Sequence, residues 1–383
     1  MLKNIKNFLV LRDKNGKRYR KSIMLYGYYG MNLGDDLFFE KLLNRYPDTM
    51  FLVYCTENYR EFFEKFNNAK FYSVEDALVQ KINKIGHKIG IRELFELVLL
   101  WRSSATVHIG GSIYQQVGDW RTDYNYRVRR KQPFKPFFSI SSNFGAYTEK
   151  EFEELWRGQF KRYTDVCFRD KYSCQIFPDV KAVRYVPDLL FSYKIQKARE
   201  EKGSVAISVF NPFLEGRKIP REISESYKNA ILKTATELLD EGRRVSLLSF
   251  CAFEGDEALV NELVSEIPES KRARLEYKGY NFYSKQEILD TLNTSEYIIG
   301  TRLHSVILGM VMGKKVLPLV YNQKIKNILD DIGFKGDKID LDKMGDYAES
   351  GFAEILGSTE SFDVSELSSS DELQFKKLDK YFK

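Results

Sequence analysis

Residues 296–321 read EYIIGTRLHSVILGMVMGKKVLPLVY and contain two strand-like apolar runs on either side of a helical segment. The first run ends at Gly300, the residues from His304 to Met312 have helical spacing, and the second run ends at Tyr321. Parallel strands need a crossover connection of about a dozen residues or more, which is usually a helix. This stretch therefore predicts a parallel-sheet α/β fold.

The same alternation extends in both directions from this stretch. Apolar strand-like runs are interleaved with amphipathic segments, and they include SIMLYGYYG, FLVYCT, ATVHIGGS, VAISVF and RRVSLLSF. The charged stretch Lys194–Ser204 has few apolar residues and predicts a linker. We therefore predict two Rossmann-like parallel-sheet α/β domains, at 1–195 and 203–345. A Ser-rich spacer and an amphipathic helix follow at 346–383, and this helix is a candidate to pack back on the first domain.

The composition is that of a soluble globular protein. Of the 383 residues, 43% are apolar and 30% charged, which excludes a disordered chain, and a net charge of +6 does not indicate a nucleic-acid partner. The four cysteines show no CxxC spacing, so we expect buried thiols in a reducing compartment, with neither a disulfide framework nor a metal site. The apolar run at 8–11 is too short for a signal peptide, and other apolar runs are too short to span a membrane. These features predict a cytoplasmic protein.

Arg302 and His304 lie at the predicted junction between a strand and a helix. Thr301 precedes them and is placed to cap the helix, whose first N–H groups and dipole favour an anion. An arginine grips phosphate or carboxylate with two parallel hydrogen bonds, and a histidine can act as general acid or base near neutral pH. Tyr321 and Lys324 follow the next strand, where Lys324 is placed to meet a second anionic group. Purely structural roles are the alternatives: His304 would cap its own helix, and Lys324 would lie in a solvated first turn.

Three further segments are candidates for ligand contacts. GYYGMNLGDD at 27–36 combines glycines at a strand end with two aspartates, which either contribute to a site or only cap a helix. The turns in HIGGSIY and SISSNFGAY allow close backbone approach, but glycine at a strand end is common. Arg169 and Asp188 each end a strand, and the pattern alone favours an internal ion pair over a substrate contact.

A basic stretch interleaved with aromatic residues, DWRTDYNYRVRRKQPFK, occupies 119–135. Such a stretch can stack on bases, but it stands alone in a weakly basic chain, so we do not expect a nucleic-acid partner. A loop that contacts a sugar, or an anionic lipid-linked substrate at a membrane surface, fits it better. His108 lies inside an apolar strand and predicts a core residue, whereas His87, in a Lys- and Gly-rich turn, predicts a surface residue.

In this order, these motifs resemble the polysaccharide pyruvyl transferase family. The resemblance runs from GYYGMNLGDD through HIGGS, SNFGAY, FRDKYS and VPDLLF to IIGTRLHSVILGMVMGKKVLPLVYNQK, or about residues 22–335. The chain departs from the family at Ser112, where a third glycine is common, and at Ala146, where proline is common. The resemblance implies two domains that face a cleft, as in GT-B glycosyltransferases, and pyruvyl transfer from phosphoenolpyruvate to two hydroxyls of a sugar in a capsule or exopolysaccharide, releasing phosphate.

The resemblance also assigns roles to the candidate residues. The second domain is expected to bind phosphoenolpyruvate and the first the saccharide acceptor, at the inner face of the membrane if the acceptor is lipid-linked. Phosphoenolpyruvate is then a co-substrate, and no cofactor or metal is expected. The expected catalytic residues are His304 as the acid, Arg302 on the leaving phosphate and Asp35, with Asp188 as the alternative, to accept a hydroxyl proton or orient the sugar. The expected substrate-binding residues are Asn32, Gly34, Gly110, Gly111, Asn143, Arg169, Asp188, Thr301, Tyr321 and Lys324.

Two alternatives stay open at this point. A GT-B glycosyltransferase with a nucleotide-sugar donor would also place an arginine and a helix N-terminus against phosphates. A non-catalytic saccharide-binding or scaffolding protein of an assembly complex is the other alternative, although the presence of both Arg302 and His304 argues against it. The donor that the protein requires distinguishes a pyruvyl transferase from a glycosyltransferase. Sugar binding without turnover of any donor would identify a scaffolding protein.

Overall fold

The computed structural model describes Arg12 and residues 15–382. The apolar run at 8–11, on which the signal-peptide prediction depends, lies outside the described residues. The contacts divide the chain into two compact units. The first unit comprises the described residues before Gly30, together with Asp35–Val186 and the residues from Gln374 onward, and the second comprises Gly30–Gly34 and Pro187–Leu373.

The first unit is built on a parallel sheet of seven strands in the order β3-β2-β1-β4-β5-β6-β7. Its strands are β1 Ser22–Tyr26, β2 Met50–Cys55, β3 Ala69–Ser73, β4 Ala105–Ile109, β5 Phe137–Ser142, β6 Asp165–Phe168 and β7 Val183–Tyr185. Its helices are α1 Leu33–Arg45, which begins in the second unit, α2 Arg60–Glu64, α3 Ala77–Lys88, α4 Leu94–Arg102, α5 Trp120–Val128, α6 Lys150–Phe160 and α7 Lys171–Ile176, and a 3₁₀ turn lies at Glu57–Tyr59. The central strands are buried throughout, as is typical of parallel strands covered on both faces.

The second unit repeats this plan with six parallel strands in the order β10-β9-β8-β11-β12-β13. Its strands are β8 Glu201–Val209, β9 Val245–Ser249, β10 Leu275–Lys278, β11 Ser295–Gly300, β12 Lys315–Val320 and β13 Ile339–Asp340. Its helices are α8 Arg221–Asp240, α9 Asp256–Glu266, α10 Lys285–Thr294, α11 Leu303–Val311, α12 Gln323–Asp331, α13 Ala353–Leu356 and the start of α14 Ser370–Phe382. Turns of 3₁₀ helix lie at Leu189–Ser192, Glu269–Arg274, Leu341–Tyr347 and Ser365–Leu367. The predicted class, two parallel-sheet α/β domains, is confirmed.

In both sheets the strand order reverses at the first strand, which is characteristic of a Rossmann-like fold. In the first sheet β1 pairs with β2 on one side and β4 on the other, and in the second β8 pairs with β9 and β11. Ligands of such sheets bind outside the carboxyl ends of the strands near this reversal. The predicted site residues follow these strand ends, so the topology gives each unit a candidate ligand-binding edge.

Packing of apolar side chains secures each sheet separately. In the second unit the alternate residues Val205, Ile207 and Val209 of β8 pack with Ile231 and Leu238 of α8 in one core cluster. Full burial of such aliphatic side chains contributes about 1.5–3 kcal/mol each relative to exposure. The polar residues at the strand ends are therefore held by strands that pack firmly against a core.

The segment predicted as a linker is partly sheet. Strand β8 begins at Glu201, inside the predicted linker, because Ser295 of β11 pairs with Glu201 and the Gly203 N–H donates to Glu296 at 2.6 Å. The contact-based division lies at Pro187, whereas the sequence placed the domain boundary at 195. The charged residues at the start of β8 join the sheet because their backbone groups find partners on β11.

The C-terminal helix α14 reaches the first unit from Gln374 onward. Asp379 accepts hydrogen bonds from Arg45 at 3.0 and 2.8 Å and from the Tyr46 hydroxyl at 2.7 Å. Gln374, fully buried, receives the Ser141 N–H at 3.1 Å and donates to the Val186 carbonyl at 3.0 Å. Among the described helices, none has the length and apolar character needed to cross a membrane.

Candidate functional site

The loop between β1 and α1 contributes to the second unit through backbone pairing. The Leu33 N–H donates to the Phe250 carbonyl at 3.0 Å, and the Ala252 N–H donates to the Met31 carbonyl at 3.1 Å. The Asn32 Oδ1 atom accepts the Gly34 N–H at 3.0 Å, a local turn that short polar side chains favour. These bonds place Gly34 at the carboxyl edge of the second sheet.

His304 lies against this loop. His304 is the second residue of α11 and is 8% exposed. A methyl group on Gly34 would lie 1.6 Å from the His304 Nδ1 atom, so only glycine leaves room for the imidazole there. Gly34 therefore has a structural role, because it leaves the space that the His304 ring occupies. Its role in binding substrate stays a prediction.

Asp188 lies on the other side of the imidazole. Its Oδ2 atom is 3.8 Å from His304 Nε2, and the carboxylate is completely buried. The Leu190 N–H holds Asp188 Oδ1 at 2.9 Å, and the Ser370 hydroxyl donates to the Asp188 carbonyl at 3.1 Å. The buried carboxylate is therefore placed to orient the imidazole. The sequence placed Asp188 at a strand end; the fold pairs it with His304.

Arg302 occupies the N-cap position of α11. Its Nε atom donates to Asp256 Oδ2 at 2.8 Å, its Nη2 atom also donates to Asp256, and its Nη1 atom donates to Glu254 Oε2 at 2.6 Å. The guanidinium therefore has carboxylate partners on all three nitrogens. Its contact with the substrate phosphate stays a prediction. A phosphate would have to compete with these two carboxylates for the guanidinium.

Thr301 does not cap α11 as the sequence predicted. The Thr301 hydroxyl lies 3.0 Å from the Tyr227 hydroxyl, and Thr301 is completely buried. The Ser208 Oγ atom accepts the backbone N–H groups of Thr301 at 3.1 Å and Arg302 at 3.2 Å. The N-cap is Arg302, one residue after the predicted position, because the serine at the end of β8 fixes this turn from the neighbouring strand.

Glu254 links Arg302 to a second arginine. Its Oε2 atom also accepts a hydrogen bond from Arg217 Nη2. Burial opposes the charge of the Glu254 carboxylate, but the positive charges of Arg302 and Arg217 outweigh it and lower the pKa to about 2. Burial raises the pKa of Asp256, although Arg302 acts in the opposite direction. At neutral pH this edge thus carries an arginine–glutamate–arginine bridge.

Tyr321 and Lys324 border the same cluster. The Tyr321 ring stacks on Phe210 with 4.3 Å between centroids, and Arg217 lies 5.0 Å above the Phe210 ring. Burial would raise the pKa of Tyr321, but the charges of Lys324 and Arg302 lower it below its usual value. Lys324 lies in the first turn of α12, which Asn322 caps through the Ile325 N–H at 3.1 Å. The fold therefore places Tyr321 within the field of Lys324 and Arg302, and the predicted substrate contacts of Tyr321 and Lys324 stay predictions.

In the first unit, the glycine turn after β4 carries a second polar cluster. The Gly111 N–H lies 3.5 Å from the Asp35 Oδ1 atom, and a methyl group on Gly110 would lie 3.0 Å from the same oxygen. Gly110 has a φ of +128°, which favours glycine. Asp35 lies in the first turn of α1 and is 8% exposed. The turn and the aspartate are therefore in direct contact.

Arg169 and Asn143 complete this cluster. The Arg169 Nη2 atom donates to Asn143 Oδ1 at 3.1 Å, and both residues are at least 97% buried. The Asn143 N–H donates to the Gly111 carbonyl at 2.9 Å, and a methyl group on Gly111 would lie 2.2 Å from Arg169 Nη2. The adjacent Asp170 caps α7 through the Ser173 N–H at 2.7 Å. Five predicted residues of the first unit thus form one cluster.

The basic aromatic stretch is mostly helix α5 and makes internal contacts. Arg127 Nη1 donates to the Ile113 carbonyl at 2.6 Å, which supports the glycine turn, and Arg130 lies 3.4 Å from Glu96 and 4.0 Å above the Tyr26 ring. The predicted sugar or lipid contact of this stretch stays a prediction. His108 is 4% exposed and lies in the core as predicted; burial, followed by the charges of Arg130 and Arg127, lowers its pKa well below the usual value. His87 is exposed on α3, as expected of a surface residue.

Sequence reasoning missed Arg217, Glu254 and Asp256. The signal was present, since FEGDE follows the apolar run SLLSF after two residues and places Glu254 and Asp256 just beyond a strand end. Nothing in that pattern shows that both carboxylates contact Arg302, which is 46 and 48 residues away along the chain. The pairing is a product of the fold.

Comparison with known proteins decides the family. Residues 32–323 match the family described as polysaccharide pyruvyl transferase. The chain belongs to the polysaccharide pyruvyl transferase family. The match includes all of the predicted site residues except Lys324, which lies one position beyond it. This membership supports a role in polysaccharide modification.

Solved structures with the same fold come from more distant proteins. This pyruvyl transferase family member is similar to a UDP-GlcNAc 2-epimerase of Methanocaldococcus jannaschii, solved with UDP-GlcNAc and UDP, with a TM-score of 0.58 and 10% identity over 94% of this chain and 99% of the other. It is also similar to Alr3699/HepE of Anabaena, solved with UDP and glucose, with a TM-score of 0.52 and 10% identity over 94% and 100% of the two chains. For the S. aureus MnaA–UDP structure the values are 0.52 and 11% over 93% and 96%. At such identities the likeness shows the fold alone, which is GT-B-like.

Proposed function

We propose that this protein transfers the pyruvyl group of phosphoenolpyruvate to two hydroxyls of a saccharide, forming a pyruvate ketal and releasing phosphate. The observation that carries the proposal is the His304–Asp188 pair, 3.8 Å apart, at the start of the helix that Arg302 caps, in a chain of the polysaccharide pyruvyl transferase family. The acceptor belongs to a capsule or exopolysaccharide or to its lipid-linked precursor, and the reaction takes place in the cytoplasm or at the inner face of the membrane.

The second unit supplies groups for the donor. Phosphoenolpyruvate carries a phosphate and a carboxylate, which suit Arg302, Lys324 and the N-terminus of α11. Tyr321 supports this role because its phenol lies in the field of the same cations. Asn32 acts through the backbone turn that it fixes, and Thr301 through its place in the turn before α11. No cofactor or metal is part of this proposal.

His304 is the proposed general acid. It gives a proton to the methylene carbon of phosphoenolpyruvate, and the first sugar hydroxyl forms a bond to the neighbouring carbon and gives up its own proton. The bond from that carbon to the phosphate oxygen then breaks, and the second hydroxyl closes the ketal while its proton leaves with the phosphate. Asp188 orients the imidazole, and Arg302 stabilises the charge of the leaving phosphate.

The first unit supplies a cluster suited to a saccharide. Asn143 and Asp35 offer an amide and a carboxylate to sugar hydroxyls, and Gly110 and Gly111 permit close backbone approach. Arg169 holds Asn143 in place at 3.1 Å. We propose Asp35 as the group that accepts the hydroxyl proton.

A nucleotide sugar is the second candidate donor. It is favoured by one observation: proteins of similar fold have been solved with UDP, UDP-GlcNAc or UDP and glucose. A diphosphate would also suit Arg302 and the N-terminus of α11. The two donors are told apart by which of them the protein consumes.

The test combines donor binding and turnover. We expect saturable binding of phosphoenolpyruvate by calorimetry, its loss in Arg302→Ala, and phosphate release when a panel of saccharides is added. His304→Ala should lower turnover about 10²–10⁴-fold, and Asp188→Asn should lower it less.

His87→Ala is the matched control, because it removes an exposed histidine from α3. Consumption of a nucleotide sugar in place of phosphoenolpyruvate would move the protein to the glycosyltransferases. Near-normal turnover in His304→Ala would remove this residue from the mechanism. Sugar binding without turnover of any donor would support a scaffolding role.

A further inference from the structure

We propose that Glu254 is an exchangeable counter-ion: its carboxylate occupies an anion site formed by Arg302 and Arg217, and an anionic group of the substrate displaces it. This adds Arg217 to the groups that bind the donor. The inference rests on the proposed function only in that the site binds an anion, whether from phosphoenolpyruvate or from another phosphorylated donor.

The two carboxylates on Arg302 differ in how firmly they are held. Asp256 is completely buried, contacts two nitrogens of the guanidinium, and also accepts the N–H groups of Asn211 at 3.0 Å and Cys251 at 3.2 Å. Removing such a carboxylate would leave a buried cation without its counter-ion. Asp256 is therefore the permanent partner of Arg302.

Glu254 is held at the solvent side of the same cluster. Its side chain is 25% exposed, against 7% for Arg302 and 14% for Arg217. It lies in the turn that follows β9, next to Gly255, whose φ is +69°. Because the Glu254 side chain is partly exposed, rotation about its own bonds is enough to turn the carboxylate toward solvent.

The position of the Glu254 carboxylate is one that a phosphate or carboxylate oxygen would take. Oε2 accepts hydrogen bonds from Arg302 and Arg217 together, and the charge of Lys324 also acts on this carboxylate. Two guanidinium groups that donate to one oxygen, within the field of a lysine, are groups suited to binding phosphate or carboxylate. With Glu254 displaced, the hydrogen bonds that Arg302 and Arg217 give to its oxygen become available to an incoming anion, while Asp256 stays bound to Arg302.

Glu254 and a phosphate cannot share this position. The carboxylate keeps its charge at neutral pH because Arg302 and Arg217, acting against burial, lower its pKa to about 2. Two anions a few ångströms apart repel each other by an amount equivalent to tenfold or more in affinity. Substrate binding therefore requires that the side chain leave.

The experiment titrates inorganic phosphate and phosphoenolpyruvate into wild type and Glu254→Gln by calorimetry, at one low ionic strength. We expect the variant to bind both anions about tenfold or more tightly, because it removes the competing charge and keeps the shape. Glu262→Gln is the matched control, since Glu262 pairs with Lys228 on the surface of the same unit. Unchanged or weaker anion binding by Glu254→Gln, or no binding by it at all, overturns the proposal.

Arg217→Gln provides the opposite test. We expect it to weaken binding of both anions about tenfold, because one of the cations is lost. If Glu254 and Arg217 only brace the loop, both substitutions weaken binding together, and the proposal fails. Tighter binding of UDP-glucose rather than phosphoenolpyruvate by Glu254→Gln would keep the exchangeable counter-ion and overturn the proposed donor. Circular dichroism and thermal unfolding confirm that each variant is folded.

Discussion

Arg169 in the first unit and Arg302 in the second both follow a buried strand of a parallel sheet, yet their surroundings differ. Arg169 donates to the neutral amide of Asn143 and lies against Gly111, which has no room for a side chain. Arg302 is held by two carboxylates, those of Asp256 and Glu254. Close backbone packing at Gly111 marks the first cluster and a guanidinium shared by two carboxylates marks the second, so each should respond to its own substitution.

The largest effect is expected where charge is removed from the second cluster. Asp256→Asn leaves the buried guanidinium of Arg302 without its permanent counter-ion and should lower the free energy of unfolding by about 3–5 kcal/mol. Chemical denaturation measures this loss. Glu262→Gln, which breaks a surface pair, should cost less than about 1 kcal/mol. If both substitutions cost the same, charge is not what holds the second cluster.

A single methyl group should disturb the first cluster. Gly111→Ala places a carbon 2.2 Å from Arg169 Nη2, and we expect a loss of about 1–3 kcal/mol in unfolding free energy together with weaker acceptor binding. Gly158→Ala is the control, because Gly158 lies in α6 with nothing within 4 Å of the added carbon. This control should be neutral or stabilise by up to about 1 kcal/mol. A harmless Gly111→Ala would contradict the role of packing in the first cluster.

The smallest effect concerns pH and a histidine of the first unit. His108 is buried, and its pKa in the folded protein lies well below the usual value. The unfolded chain therefore binds a proton on this residue below about pH 6.5 that the folded protein does not. Stability should fall as the pH drops below about 6.5, by at most about 1.4 kcal/mol per pH unit from this group.

His108→Leu removes that contribution. Its unfolding free energy should decline less steeply between about pH 6.5 and 5 than that of wild type, as measured by denaturant titrations at each pH. His87→Leu is the matched control for loss of a histidine at the surface of the same unit. Parallel pH profiles for wild type and His108→Leu would show that the buried ring is not the source of the slope.

Much of the fold could be predicted from the sequence. The apolar runs that end at Gly300 and Tyr321, with a helical segment between them, show the parallel β-α-β order directly, because local periodicity reports which residues are buried. The start of β8 at Glu201 could not be predicted in this way. Its charged residues join the sheet only because β11 offers backbone partners.

The candidate site divides in the same manner. By itself, the sequence determined that Arg302, His304, Arg169 and the glycine turns lie at strand ends, since strand order along the chain is local information. Only the tertiary structure decided that Asp188 lies beside His304, that Gly34 leaves room for this ring, and that Glu254 joins two arginines. These contacts join residues far apart along the chain, and the charges and close packing that select them exist only once the sheets have formed.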